Sequence, residues 1–258
     1  MLPSLAELLD LETIDRDMYR SVALYDDPLP LYGGQVAAQA LAAAGRTVPQ
    51  DRLPHSLHCY YLRRGTADAP VFFHVYRDHD GRSYTARRVV GIQNGEVIFT
   101  MSVSFTRFEF DVDHEPEPLP DVPGPADLPE WHCARLQSIH TRTTQPEAQW
   151  PTRFWARSAV ELPESPLIHA CVLTYLSDIS SGLVDMPNGE SSIGASLDHA
   201  VWFHRIPRLD EWMLVDLTPR TVSAGRGFYS GTVRGSDGTT VATLTQEMTF
   251  RTTKMAVL

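Results

Sequence analysis

Residues 111–130 read DVDHEPEPLPDVPGPADLPE. Six of these twenty residues are proline (116, 118, 120, 123, 125 and 129) and seven are acidic. Proline fixes φ and removes a backbone donor, so the stretch suits neither a helix interior nor a central strand. It reads as an extended linker. The expected organisation is therefore an N-terminal unit at 1–110, a proline-rich linker region at 111–164 and a C-terminal unit at 165–258.

Each side of this break carries a similar programme. Before it, Gly33-Gly34-Gln35 opens a run containing Ala37, Ala38, Ala40, Ala42, Ala43 and Ala44. Alanine is the best helix former, and Gly45 supplies a stop. Strand-like segments follow near 56–63, 70–78, 83–93 and 96–107, and Asn94-Gly95 between the last two is a strong hairpin signal. After the break, Pro166-Leu-Ile-His-Ala-Cys-Val-Leu-Thr-Tyr-Leu-Ser reads as a second helix. Strand-like segments follow near 195–205, 211–218, 223–234 and 240–251, with Asp237-Gly238 as the matching hairpin signal.

The halves superimpose in sequence. Ser56-Leu57-His58 falls on Ser196-Leu197-Asp198, Asn94-Gly95 on Asp237-Gly238, and Ser104-Phe105-Thr106-Arg107 echoes Thr249-Phe250-Arg251. A helix of small residues lets a curved antiparallel sheet approach closely. This pattern is the α+β hotdog module, here twice in one chain. Sheet edges want partners, so the two sheets are expected to join edge to edge into one continuous sheet.

The chain has 258 residues, 43% hydrophobic and 21% charged, an ordinary globular composition. No stretch approaches the ~20 apolar residues of a spanning helix. With 22 Lys and Arg against 32 Asp and Glu, the formal charge is −10. With no basic stripe either, nucleic acid is excluded as the expected partner. Cys59, Cys133 and Cys171 are odd in number, far apart and without Cys-x-x-Cys pairing. That argues for a reducing compartment and against a disulfide framework or a thiolate metal site. Glu7, Asp10 and Glu12 interrupt the N-terminal apolar run, which is read as a short amphipathic helix and not as a secretory signal. The terminal Met-Ala-Val-Leu is no peroxisomal Ser-Lys-Leu address, and a cytoplasmic location is expected.

The segment 240–251 holds the most informative residue. Period-two alternation puts Ala242, Leu244, Gln246, Met248 and Phe250 on one face, the core face. A buried amide without partners costs about 1–3 kcal/mol, so Gln246 needs a hydrogen bond. The first half is a control, because Met101 stands opposite Gln246 when Phe105 is aligned with Phe250, and its face is wholly apolar. The asymmetry points to one active site per chain, in the second half. A core glutamine satisfied by backbone is the alternative that the strand alone leaves open. Asp178 follows the second helix, where an aspartate is electrostatically misplaced by ~0.3–1 kcal/mol; a solvated loop aspartate is the plain reading. Parity does not assign Ser196 to either sheet face.

Together these residues carry a resemblance. Tyr175-Leu-Ser-Asp178, Ser196-Leu-Asp-His-Ala-Val-Trp-Phe-His204 and Gln246-Glu247 resemble the acyl-CoA thioesterase II (TesB-like) family. So do Leu31-Tyr-Gly-Gly-Gln35, His55-Ser-Leu-His58 and Gly81-Arg-Ser-Tyr-Thr-Ala-Arg-Arg-Val89. The resemblance spans roughly 5–108 and 165–252, while 109–164 departs most from it. It implies a double-hotdog hydrolase of fatty acyl-CoA, in which an Asp, a Ser or Thr, and a Gln jointly activate a water. Asp178, Ser196 and Gln246 occupy those motif positions.

Asp178 is then the expected base, with Ser196 and Gln246 positioning the water and the carboxylate. Backbone N–H groups near Gly34 are candidates for the oxyanion site, His58 for a structural or substrate-side role, and Arg87 and Arg88 for CoA phosphates or plain strand-surface arginines. A serine nucleophile is disfavoured, because Gly194-Ala-Ser196-Leu-Asp198 lacks the last glycine of the strained elbow. No metal and no cofactor is expected. The competing readings are an acyl-CoA-binding module without turnover and a hydratase-type enzyme; the latter's Asp-x-Asn-Pro-x-His setting is missing, since Asp127 and His132 have the spacing without the Asn. Fold analogy suggests a homodimer or homotetramer.

Overall fold

The computed structural model describes residues 3–107, 112–115, 118, 120–133, 135–136, 138–148, 150–179 and 194–250. The boundary expected at 110/111, and Arg251 at the expected end of the last strand, lie outside them.

Two helices form the hub. Helix α2 (Gly33–Gly45) is buried along nearly its whole length, and α3 (Pro166–Ser177) is buried from His169 onward. They run against each other with little between them. A Cβ built on Gly34 would fall 2.3 Å from the Tyr175 carbonyl oxygen, and one on Gly45 would fall 2.3 Å from Leu167 Cδ2. Side chains at these contacts would force the helices apart, which explains the small-residue composition of α2. The short helix α1 (Leu5–Leu9) packs beside α2 and begins with a capping box between Ser4 and Glu7.

One sheet of twelve strands surrounds the hub, in the order β1-β2-β4-β5-β6-β3-β9-β12-β11-β10-β8-β7. The first half contributes β1 (Leu11–Asp15), β2 (Met18–Ser21), β3 (Arg52–Tyr61), β4 (Phe72–Asp80), β5 (Tyr84–Gln93) and β6 (Glu96–Arg107). The second contributes β7 (Ile139–Thr143), β8 (Arg153–Ser158), β9 (Ser196–Phe203), β10 (Met213–Ser223), β11 (Arg226–Gly235) and β12 (Thr240–Thr249). The expected edge-to-edge union is the antiparallel pairing of β3 with β9. Each half repeats the same order outward from that seam. Inward-facing Leu57, Phe99, Phe105, Leu173 and Leu176 are sealed in the core, at about 1.5–3 kcal/mol each.

The turn at Asn94-Gly95 has φ of 52° and 80°, left-handed at both positions, as a two-residue hairpin between right-twisted strands requires. Ala224-Gly225, with φ of 49° and 74°, makes the same turn between β10 and β11.

The linker reading of 111–164 needs correction. Strands β7 and β8 lie inside it, and β8 pairs with β10. They precede α3 as β1 and β2 precede α2, so they complete the second module. Both are short, β7 is the edge strand beyond β8, and it alternates buried Ile139, Thr141 and Thr143 with outward His140 and Arg142. Among the described residues, no helix is long and apolar enough to cross a membrane.

Candidate active site

Asp178 is the C-cap of α3, where the carbonyl-rich helix end repels a carboxylate. Its surroundings reverse that penalty. The antiparallel packing of the helices brings it to the N-terminus of α2, the end with free N–H groups and positive partial charge. A Cβ on Gly33 would fall 2.5 Å from Asp178 Oδ2. The backbone N–H of Gly34 favours the ionised form.

Ser196 and Gln246 complete a directed chain. Gln246 Nε2 donates to Ser196 Oγ at 2.8 Å, and Ser196 Oγ donates to Asp178 Oδ1 at 2.9 Å. Gln246 is fully buried on β12, opposite His199 of β9 and Tyr229 of β11. Ser196 reaches the same face through a bulge. The β9–β12 register steps from Asp198↔Glu247 to Ser196↔Met248, passing over Leu197. The extra residue turns Ser196 inward, beside Met248 and Gln246, and bulges of this kind re-aim side chains at functional sites.

The three residues therefore converge from α3, β9 and β12. Asp178 is 2% exposed. Burial pushes its pKa up to about 7, while the donors gathered around it (Ser196, Gln246, the Gly34 N–H and the Tyr61 hydroxyl) hold it down. That value poises a carboxylate for proton transfer near neutral pH. Gln246 Oε1, His199 Nδ1 and the Tyr61 hydroxyl are sealed from solvent with no hydrogen-bond partner among the described residues. A cluster of unmet polar atoms around a perturbed carboxyl marks a reaction centre more than a structural core.

His199 forms a second line of support. Its Nε2 lies 2.7 Å from Ser177 Oγ, which in turn donates to the Thr174 carbonyl at 3.0 Å. With the serine proton spent on Thr174, Nε2 carries the ring proton toward Ser177. Burial pushes the His199 pKa down to about 4, so the ring is neutral at pH 7.

Gly34 belongs to this centre, and the other expected substrate contacts do not. His58 is exposed on the outer face of the sheet, edge-on to Trp202 at 5.1 Å between ring centroids. Arg88 is also outside, paired with Asp78 and lying over the Tyr76 ring. Arg87 faces inward and is 1% exposed. Its guanidinium is consumed by Thr47 Oγ1, the Thr47 carbonyl, Asp80 and two further carbonyls, so it ties the end of α2 to the sheet instead of meeting CoA phosphates. A cleft of about 400 Å³ lined by His55, Tyr84, Pro166 and His204 lies at the opposite end of α3 from Asp178.

Gly33, Tyr61 and His199 are members of the centre that sequence reasoning missed. His199 carries a faint signal, as the histidine 140 residues beyond Cys59 and paired directly with it across the β3–β9 seam. No described group of three or more His, Cys, Asp or Glu side chains is placed to hold a metal ion.

A tandem hotdog with a buried acid, alcohol and amide in its second module defines the class to which this protein belongs. Comparison with known proteins gives the family. The model of the acyl-CoA thioesterase N-terminal domain matches residues 27–106, and that of the C-terminal domain matches residues 110–250. Acyl-coenzyme A thioesterase 8 of Mus musculus is 31% identical, over 95% of this chain and 88% of its own. Acyl-CoA thioesterase 2 of Haemophilus influenzae is 30% identical, over 97% and 98%. The crystal structure of an acyl-CoA thioesterase II from Mycobacterium marinum superimposes with a TM-score of 0.83 at 34% identity, covering 97% of this chain and 98% of that one. The chain belongs to the acyl-CoA thioesterase family, a family of thioester hydrolases.

Proposed function

We propose that the protein hydrolyses acyl-CoA thioesters to free acid and CoA, by a water that Asp178, Ser196 and Gln246 activate together. The observation that carries this reading is the Gln246–Ser196–Asp178 chain, ending on a buried carboxylate at the N-terminus of α2. Asp178, poised near neutrality, takes a proton from water as the water oxygen bonds to the thioester carbon. Negative charge collects on the carbonyl oxygen, where N–H groups at the start of α2 are suited to receive it. The tetrahedral species collapses by breaking the C–S bond. The proton held by Asp178 returns to the departing thiolate, and the carboxylate is regenerated.

Ser196 is the middle of the chain in this mechanism. Its Oγ donates to Asp178 and accepts from Gln246, which orients the carboxylate and leaves Gln246 Oε1 to hold the water. No covalent acyl-enzyme forms.

Release of CoA from acyl-CoA of several chain lengths, followed with a thiol reagent, tests the proposal. Asp178→Asn and Gln246→Ala are each expected to lower kcat/KM about 100-fold or more. Binding without turnover by the wild type would leave an acyl-CoA-binding module, and enoyl-CoA hydration without thiol release would leave a hydratase. A trapped acyl ester on Ser196 would overturn the direct attack of water.

A further inference from the structure

Three phenols from three elements face Asp178: Tyr32 ahead of α2, Tyr61 at the end of β3 and Tyr229 on β11. Two are committed elsewhere. The Tyr32 hydroxyl donates to the Tyr175 carbonyl at 2.9 Å, and the Tyr229 hydroxyl donates to the Ile179 carbonyl at 3.1 Å. The Tyr61 hydroxyl is equally sealed from water yet has no partner among the described residues. Leaving a buried hydroxyl unmet is costly, so its position asks for an acceptor.

The nearest acceptor chemistry is the carboxylate. The Cβ position of Gly33 lies 2.8 Å from Tyr61 Cε1, 3.1 Å from Tyr61 Cζ and 2.5 Å from Asp178 Oδ2. The bare glycine is thus the gap across which ring and carboxylate face each other. Oδ1 is already held by Ser196, which leaves Oδ2 for a second donor. Cys59, two residues back on the same face of β3, is the other neighbour. Its thiol donates to the His199 carbonyl at 3.3 Å, and thiol sulfur is a weak acceptor. Of the remaining groups around the carboxyl, Gln246 and the Gly34 N–H favour its charge as Tyr61 does. His199 is neutral and turned toward Ser177.

We infer that Tyr61 is a positioning residue of the catalytic centre, contributed by the N-terminal module, whose phenolic hydroxyl donates to Asp178 Oδ2 and fixes the orientation and proton affinity of the base. This inference rests on Asp178 being the base. It adds a functional part to the first module, which otherwise places Cys59 and Met101 where the second places His199 and Gln246. It also makes both oxygens of Asp178 tethered acceptors, so the carboxyl cannot rotate away from the reacting water.

The test compares wild type, Tyr61→Phe and Cys59→Ala in two readouts. The first is the pH dependence of kcat/KM for acyl-CoA. The second needs no substrate: titration of the Asp178 carboxyl by carbon NMR in protein labelled at the aspartate side-chain carbon, with Asp178→Asn identifying the resonance. Loss of a donor to a carboxylate is expected to raise its titration midpoint by about one pH unit in Tyr61→Phe. Activity below the midpoint then drops about tenfold while the high-pH plateau stays within about twofold. Cys59→Ala leaves the midpoint in place. Site-specific 3-fluorotyrosine at 61, a stronger donor of nearly the same shape, moves the midpoint down and serves if the phenylalanine variant does not fold. An unchanged midpoint in these Tyr61 variants overturns the inference whatever happens to activity. Full activity in Asp178→Asn would instead remove the base assignment, while the substrate-free titration would still decide the Tyr61 contact.

Discussion

Asp178 Oδ2 lies so near the α-carbon of Gly33 that a methyl group there would sit 2.5 Å from it. One residue ends α3 and the other begins α2, so the aspartate that burdens its own helix is stabilised by the start of the other. The same methyl would lie 2.8 Å from the Tyr61 ring. Gly33→Ala is therefore expected to displace the carboxyl and the phenol together. Activity should fall tenfold or more, while the melting temperature moves by only a few degrees, because both obstructing groups are side chains. Gly34→Ala strikes the Tyr175 carbonyl at 2.3 Å, a backbone atom that cannot step aside, and should cost stability, about 1–3 kcal/mol. Thermal melts alongside thiol-release kinetics separate the two.

The carboxyl of Asp178 titrates near 7 in the folded chain against an ordinary value of 3.8. As a base it must be ionised, so kcat/KM should rise with pH through about 7 and fall about tenfold per unit below that. Stability runs the other way. Between pH 3.8 and about 7 the folded state keeps a proton that the unfolded chain has lost, so stability declines as pH rises across this window. The full cost is present above about 7. Asp178→Asn should accordingly melt higher than wild type at pH 8, with the difference shrinking toward zero at pH 4. A difference that is constant across pH would mean that the carboxyl is not raised.

Much of this fold can be read from the residues, because its signals are local. The alanine run of α2, the Asn94-Gly95 turn and the alternation along β12 each act over a few residues. Strands β7 and β8 escaped because they are short, and because the preceding prolines made the whole interval read as connection. Ala224-Gly225 turns as Asn94-Gly95 does, without the asparagine that announces it. In the centre, Gln246 stood out as an amide on an apolar face. Ser196 could not be assigned a face because the bulge at Leu197 breaks the period of two. Tyr61 closes the inward series Leu57, Cys59, Tyr61, where a phenol looks like core. Only the packing of α2 on α3 gives Gly33 and Tyr61 their meaning.

Arg87 and Arg88 are adjacent, yet opposite faces of β5 give them different futures. Arg87→Met removes donors from buried Thr47 and from carbonyls at His79 and Ala86. Each buried acceptor left unmet costs roughly 1–3 kcal/mol. The melting temperature should drop by several degrees, with KM for acyl-CoA unchanged in the fraction that remains folded. Arg88→Ala loses a surface pairing with Asp78 and its place over the exposed Tyr76 ring, and should shift stability by less than about 1 kcal/mol. A raised KM in Arg87→Met with an unaltered melt would return this side chain to the substrate.

The two modules also predict the outcome of making them alike. Cys59 and His199 face each other across the seam between β3 and β9, and Met101 of β6 stands where β12 has Gln246. The first module shows that methionine is compatible with this place in the sheet, since Met101 is 1% exposed and surrounded by core. Gln246→Met should therefore fold, with a melting temperature within a few degrees of wild type. Ser196 Oγ would lose its donor, and the water would lose an acceptor. The expected drop in kcat/KM is about 100- to 1,000-fold, with little change in KM, because the interactions removed act on the reacting water and not on the bound acyl group. If the variant instead kept most of its turnover, the amide would be only a core residue, and the chain from Gln246 to Asp178 would have no part in the chemistry.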